Sequence, residues 1–93
     1  MSRLPVIVMR VARRSPPGEL GGAIAAELRR GRLVHLQCIG AQASYAAIKG
    51  VCAAKQFVED EGSCLVCQPE FISLDTPDQG TRPGLCIRVW LME

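Results

Sequence analysis

Residues 33–58 read LVHLQCIGAQASYAAIKGVCAAKQFV. This stretch decides the fold class, because its hydrophobic period changes once, at Gly40. From Leu33 to Ile39 the apolar positions alternate. Val34, Leu36 and Cys38 share one face and His35 and Gln37 the other, which is the two-residue period of a strand. Beyond Gly40 the period becomes helical. Ala47, Ile48, Val51, Ala54 and Val58 form an apolar stripe, and Gln42, Tyr45, Lys49 and Gln56 form the opposite one. Gly50, inside this helix, costs about 1 kcal/mol relative to Ala, so it predicts a close packing contact.

The flanks extend the pattern. Upstream, residues 4–12 (LPVIVMRVA) read as a first strand. Ser15 followed by Pro16 has the form of a helix N-cap and first helical position. From Glu19 to Arg30 an apolar stripe of Leu20, Ile24 and Leu28 marks a first helix. Gly21, Gly22, Ala23, Ala25 and Ala26 beside it allow close approach to a sheet or a second helix, and Gly31 suits the C-terminal cap. Downstream, SCLVCQ at 63–68 predicts a third strand with a ragged continuation past Pro69 to Leu74. DTPDQGTRPG is a polar turn region. GLCIRVWLM then reads as a strand with Leu85, Ile87, Val89 and Leu91 on one face and Cys86, Arg88, Trp90 and Met92 on the other. The order β-α-β-α-β-β over residues 1–93 predicts one domain, an α/β two-layer sandwich. Its four-stranded mixed sheet carries two helices on one face, and its last two strands form a hairpin with a long tip.

The chain is 48% apolar and 22% charged, the balance of a folded soluble domain with one small core. No apolar run approaches the ~20 residues of a membrane span. The start has no signal-peptide pattern, so a cytoplasmic location with reduced thiols is expected. The five cysteines form an odd set that argues against a disulfide framework. Cys64 and Cys67 have the spacing of a zinc knuckle, but on a strand residues three apart point to opposite faces. His35 is the sole histidine and no second pair completes a tetrahedral site, so neither a metal nor another cofactor is expected. No Ser-His-Asp or Cys-His arrangement stands out, which argues against an enzyme.

The net charge of +2 conceals a division. Residues 1–55 hold nine Arg and Lys against two acids, and residues 56–93 hold two Arg against seven acids. Arg10, Arg13 and Arg14 cluster after the first strand, Arg29, Arg30 and Arg32 after the first helix, and Lys49 and Lys55 lie on the second. Several of these on one side would make a footprint for a phosphate backbone. The Gly40-Ala41-Gln42 junction reads either as a plain turn or as a helix N-terminus whose free amides and dipole suit a phosphate. Glu59, Asp60 and Glu61 crowd a helix C-terminus, where negative charge is unfavourable. They hint at a cationic partner such as the basic half of another copy. Trp90 beside Arg88 can stack a base or anchor a subunit interface, where both residue types are enriched. Because Met92 and Cys86 share the patch, the interface is the preferred reading. Tyr45, Arg88, Trp90 and Met92 are the expected oligomer contacts.

Taken together, these segments resemble the stage V sporulation protein S family, whose fold is Alba-like. The resemblance rests on residues 33–58, with Ile39-Gly40-Ala41 at the turn and Ala46-Ala47-Ile48-Lys49-Gly50-Val51 in the helix. Ser15-Pro16, the helix GGAIAAEL, and Leu65 to Phe71 (LVCQPEF) extend it over almost the whole chain. It implies a domain that forms homodimers or larger assemblies and binds DNA or RNA, in a sporulation-related regulatory role; contacts mainly to phosphates would make that binding weakly sequence-specific. By relation to Alba proteins it implies phosphate contacts at Arg13 and Arg14 and at Gly40, Ala41 and Gln42; Lys49 matches a family lysine, and Arg10 joins the expected contacts as part of the basic cluster after the first strand. Two departures stand out: no arginine flanks Gly40, and the hairpin tip carries Asp75 and Asp78 with Arg82 alone. The alternative expectation is a self-assembling interaction module without nucleic-acid binding.

Overall fold

The computed structural model describes residues 4–92. Six elements follow in the order β1 (Val6–Arg10), α1 (Pro17–Arg29), β2 (Leu33–Cys38), α2 (Ala41–Glu59), β3 (Cys64–Thr76) and β4 (Gly80–Met92). The sheet order is β1-β2-β4-β3. β1 and β2 are parallel, as a crossover through α1 requires, and the other two pairings are antiparallel. Both helices cover the same face, which is the α/β two-layer sandwich expected, in a slab of 42 × 33 × 17 Å.

The core forms where the sheet's apolar face meets the two helical stripes. Val34, Leu36 and Cys38 of β2 and Ile87 and Val89 of β4 pack beneath Ile24 and Leu28 of α1 and Ala47, Val51 and Ala54 of α2. Residues of Ala size dominate the α2 stripe, so the helices approach closely. Gly21 is built into that contact: a Cβ there would come within 2.9 Å of the Ala54 backbone nitrogen. Gly50 packs directly on the Leu20 side chain, the contact its helical cost pointed to.

Four local expectations need correction. Ser15 does not cap α1. Its hydroxyl accepts from the Ala12 N–H at 3.1 Å, so the helix begins one residue later, with Pro16 as N-cap and no side-chain cap bond. Ile48 does not belong to the buried stripe but is 44% exposed, because the stripe turns instead through Ala43, Ala46 and Ala47. β3 is not ragged. It runs unbroken through Pro69, tolerable because β3 is an edge strand whose outer backbone groups need no partner. The turn region is also mostly strand: pairing continues from Ile72↔Gly84 to Thr76↔Gly80, leaving only residues 77–79 as the tip.

Candidate nucleic-acid interface

Because β1 and β2 are parallel, both end at the same end of the sheet. The Val11 N–H donates to the Gln37 carbonyl at 2.9 Å and carries that alignment one residue past β1. There the chain turns sharply. The Ser15 N–H donates to the Ala12 carbonyl at 3.1 Å, which leaves Arg13 and Arg14 at the corner of the turn, both exposed. Arg10, at the end of β1, is exposed as well. At the end of β2, Gly40 takes φ +88°, a conformation glycine adopts at little steric cost, and redirects the chain into α2. No side chain caps α2. Its first backbone bond runs from the Ser44 N–H to the Gly40 carbonyl at 3.0 Å, so the amides of Ala41, Gln42 and Ala43 precede the helical ladder. Ala41 and Gln42 are exposed.

β4 runs antiparallel to β2, and their register ends at Cys38↔Leu85. The hairpin half formed by 72–76 and 80–84 therefore projects from this same end. Between it and α2 lies a groove of about 500 Å³ lined by Gly40, Ala41, Ser44, Phe71 and Pro83. Phe71 is 91% exposed. The arm carries Arg82, but Asp75 accepts from the Thr81 hydroxyl at 2.8 Å and Asp78 occupies the tip.

Ion pairing sorts the basic residues. Glu27 takes Arg30 at 3.0 Å and Arg32 at 2.7 Å, Glu61 takes Arg29 at 2.8 Å, Glu59 takes Lys55 at 2.6 Å, and Glu70 takes Arg88 at 2.8 Å. Arg29, Arg30 and Arg32 also lie where β2 begins, at the opposite end of the sheet from Arg13, and so leave the expected footprint. Among the described residues, the cations outside any ion pair are Arg10, Arg13, Arg14, Lys49 and Arg82. Two acids of the 59–61 run, Glu59 and Glu61, find their cations within the chain rather than in a neighbour. Lys49 stands apart. It is eight residues along α2 from Ala41, about 12 Å at the helical rise, and its ammonium lies 4.5 Å from the Tyr45 ring centre.

The expected oligomer contacts do not form one patch. Tyr45 is exposed on α2, whereas Arg88, Trp90 and Met92 lie on the sheet face away from the helices. Cys86, on that same face, is buried; desolvation pushes its thiol up, and Glu70 adds to the shift. Cys64 and Cys67 pair with Met92 and Val89, on opposite faces of the sheet. Among the described residues no group of three or more His, Cys, Asp or Glu is placed to hold a metal ion. Among the described residues no helix is long and apolar enough to cross a membrane. Sequence reasoning missed the exposure of Phe71, whose apolar character and β3 position carry no signal of it.

The sheet order, the paired helices and the Gly40 turn can be compared with known proteins. Residues 7–91 match the family described as Stage V sporulation protein S. The chain belongs to this family. Among solved structures, this Stage V sporulation protein S member is similar to Alba from Thermoplasma volcanium. The TM-score is 0.55 and the identity 13%, over 94% of this chain and all of that one. At that identity the likeness is one of fold, and it agrees with the Alba-like sandwich expected of the family.

Proposed function

We propose that this protein is a non-enzymatic, cytoplasmic regulatory protein that binds DNA or RNA through phosphate contacts, with weak sequence specificity, as a homo-oligomer. One observation carries the reading: Arg10, Arg13 and Arg14, outside every ion pair among the described residues, share one end of the sheet with the uncapped N-terminus of α2. Guanidinium groups and backbone amides fix a phosphate backbone in place without reading bases. Lys49, about 12 Å along α2 from Ala41, is a further cation outside that cluster. The acids of the hairpin tip weaken any grip by the arm, so the affinity is modest per protomer and assembly multiplies it.

The test is a fluorescence-anisotropy titration of labelled duplex and single strands at rising salt. Three arginine contacts per protomer give a slope of about −3 in log affinity against log salt on a duplex, and Arg13→Ala with Arg14→Ala removes about two of the three. Absence of binding at low salt, or affinity indifferent to salt, overturns the proposal.

A second reading, self-assembly without nucleic acid, is favoured by the exposed Phe71, Tyr45 and Ile48, which lie on the helix-bearing side. Phe71→Asp then converts an oligomer to a monomer in light scattering. A wild-type protein that is monomeric at all concentrations counts against it.

A further inference from the structure

The helices cover one sheet face and leave the other bare. On that face a cavity of about 580 Å³ is lined by Val6, Leu33, His35, Gln68, Arg88 and Trp90. The strand register explains why these six meet. Val8↔His35, His35↔Arg88 and Gln68↔Arg88 form one row across all four strands, and Val6↔Leu33 and Val66↔Trp90 belong to the next. The volume falls within the range of small-molecule sites, and the lining has their usual form, apolar walls with a few convergent polar groups.

We infer that this cavity receives an unpaired base of a single-stranded nucleic acid, stacked against Trp90 and hydrogen-bonded by Gln68 and His35. The inference rests on the nucleic-acid reading above and names the form of nucleic acid that this face selects. Three features favour a base. Trp90 is half-buried in the cavity wall. A tryptophan that anchors a subunit contact fills a pocket on its partner, whereas a recessed one offers its ring system to a planar guest. Arg88 is already neutralised by Glu70 at 2.8 Å, so the cavity suits an uncharged ring with donors and acceptors better than a phosphate. Gln68 carries both a donor and an acceptor, and His35 carries ring nitrogens, the groups that recognise base edges.

The same face supplies the backbone contact. Arg10, unpaired and exposed, ends β1 four residues from Val6, about 13 Å at the strand rise. A short single strand spans from Arg10 to the cavity. A duplex keeps its bases paired and cannot fill the cavity without unstacking one.

Trp90 is the chain's one tryptophan, so its emission reports on this cavity alone. The full-length protein is titrated with labelled oligo-dT, oligo-rU and a duplex of equal length, reading anisotropy for binding and tryptophan emission for stacking. Single strands are expected to quench Trp90 in step with binding, and the duplex to bind without quenching. Trp90→Leu weakens single-strand binding roughly tenfold and leaves duplex binding unchanged, while Trp90→Phe restores most of the loss. Gln68→Ala, at an exposed position, gives the same direction if Trp90→Leu fails to fold. Single-strand binding with unchanged emission, and with Gln68→Ala equal to wild type, overturns this inference and leaves the phosphate reading standing. Absence of binding to every strand overturns both. Emission that changes on dilution without nucleic acid, with Trp90→Leu made monomeric, overturns it in favour of a second copy on this face.

Discussion

Glu27 accepts from Arg30 and Arg32 together, and the Arg32 hydrogen bond is the main reason its carboxyl stays below the ordinary value of 4.5. A depressed folded-state value means the carboxylate adds stability above the unfolded value and loses it as pH falls through the folded one. Glu27→Gln is therefore expected to unfold more readily than wild type at pH 7 in urea titrations. The difference should shrink as pH drops below about 4.5 and vanish once both forms are neutral. A difference constant from pH 7 to pH 2 would show that the bonds matter for packing rather than charge. The same residue explains a limit of sequence reading. Arg30 is one helical turn from Glu27 and visible as a pair, but Arg29 meets Glu61 across 32 positions. Sorting paired from unpaired arginines needs that long-range geometry, so the sequence alone does not set Arg29, Arg30 and Arg32 apart from Arg10, Arg13 and Arg14.

At the level of elements, Gly21 and Gly22 are neighbours with opposite prospects. A methyl at Gly21 would collide with Ala53 and the Ala54 backbone, which cannot swing aside, while Gly22 has open space around it. Gly22→Ala should stabilise α1 by about 0.5–1 kcal/mol. Gly21→Ala gains the same helical propensity but incurs an overpacking cost of about 1–3 kcal/mol, so it should destabilise. Thermal melts decide this: the two variants should move the midpoint in opposite directions, by several degrees for a domain of this size. Elements with a buried face were readable because burial writes a period into the chain, as in β2, α2 and the proximal part of β4. The outer end of the hairpin is mostly exposed on both faces, so residues 75–76 and 80–83 look like a loop although they are ladder. The start of α1 was misplaced for a different reason, since a serine before a proline serves a turn as readily as a cap.

For the whole molecule, only two ion pairs, Arg29–Glu61 and Lys55–Glu59, join the basic first half to the acidic second half, and the other three lie within one half. Among the described residues, pairing removes five cations and leaves Arg10, Arg13 and Arg14 together at the end of the sheet where β1 and β2 finish, with Lys49 and Arg82 outlying. Association with nucleic acid should therefore be directional, through one end of the slab. Replacing Arg29 and Arg30 with Ala, which removes the same charge at the other end, should change duplex affinity far less than replacing Arg13 and Arg14. Equal losses from the two double variants would mean that net charge, not placement, governs binding.

The projecting hairpin has a further consequence for motion. Beyond Leu85 no third strand supports it, so its outer ladder is held by its own bonds and by the short tip alone. A two-stranded ribbon of that kind is marginal in water. Its outer half can therefore fray and re-form while the core stays intact. In native-state hydrogen exchange, amides of 73–76 and 80–83 should exchange at a cost well below global unfolding, and those of β2 only near it. The end of the molecule that carries the free arginines thus also carries its most compliant segment, one able to change shape around a bound strand before the rest of the fold yields.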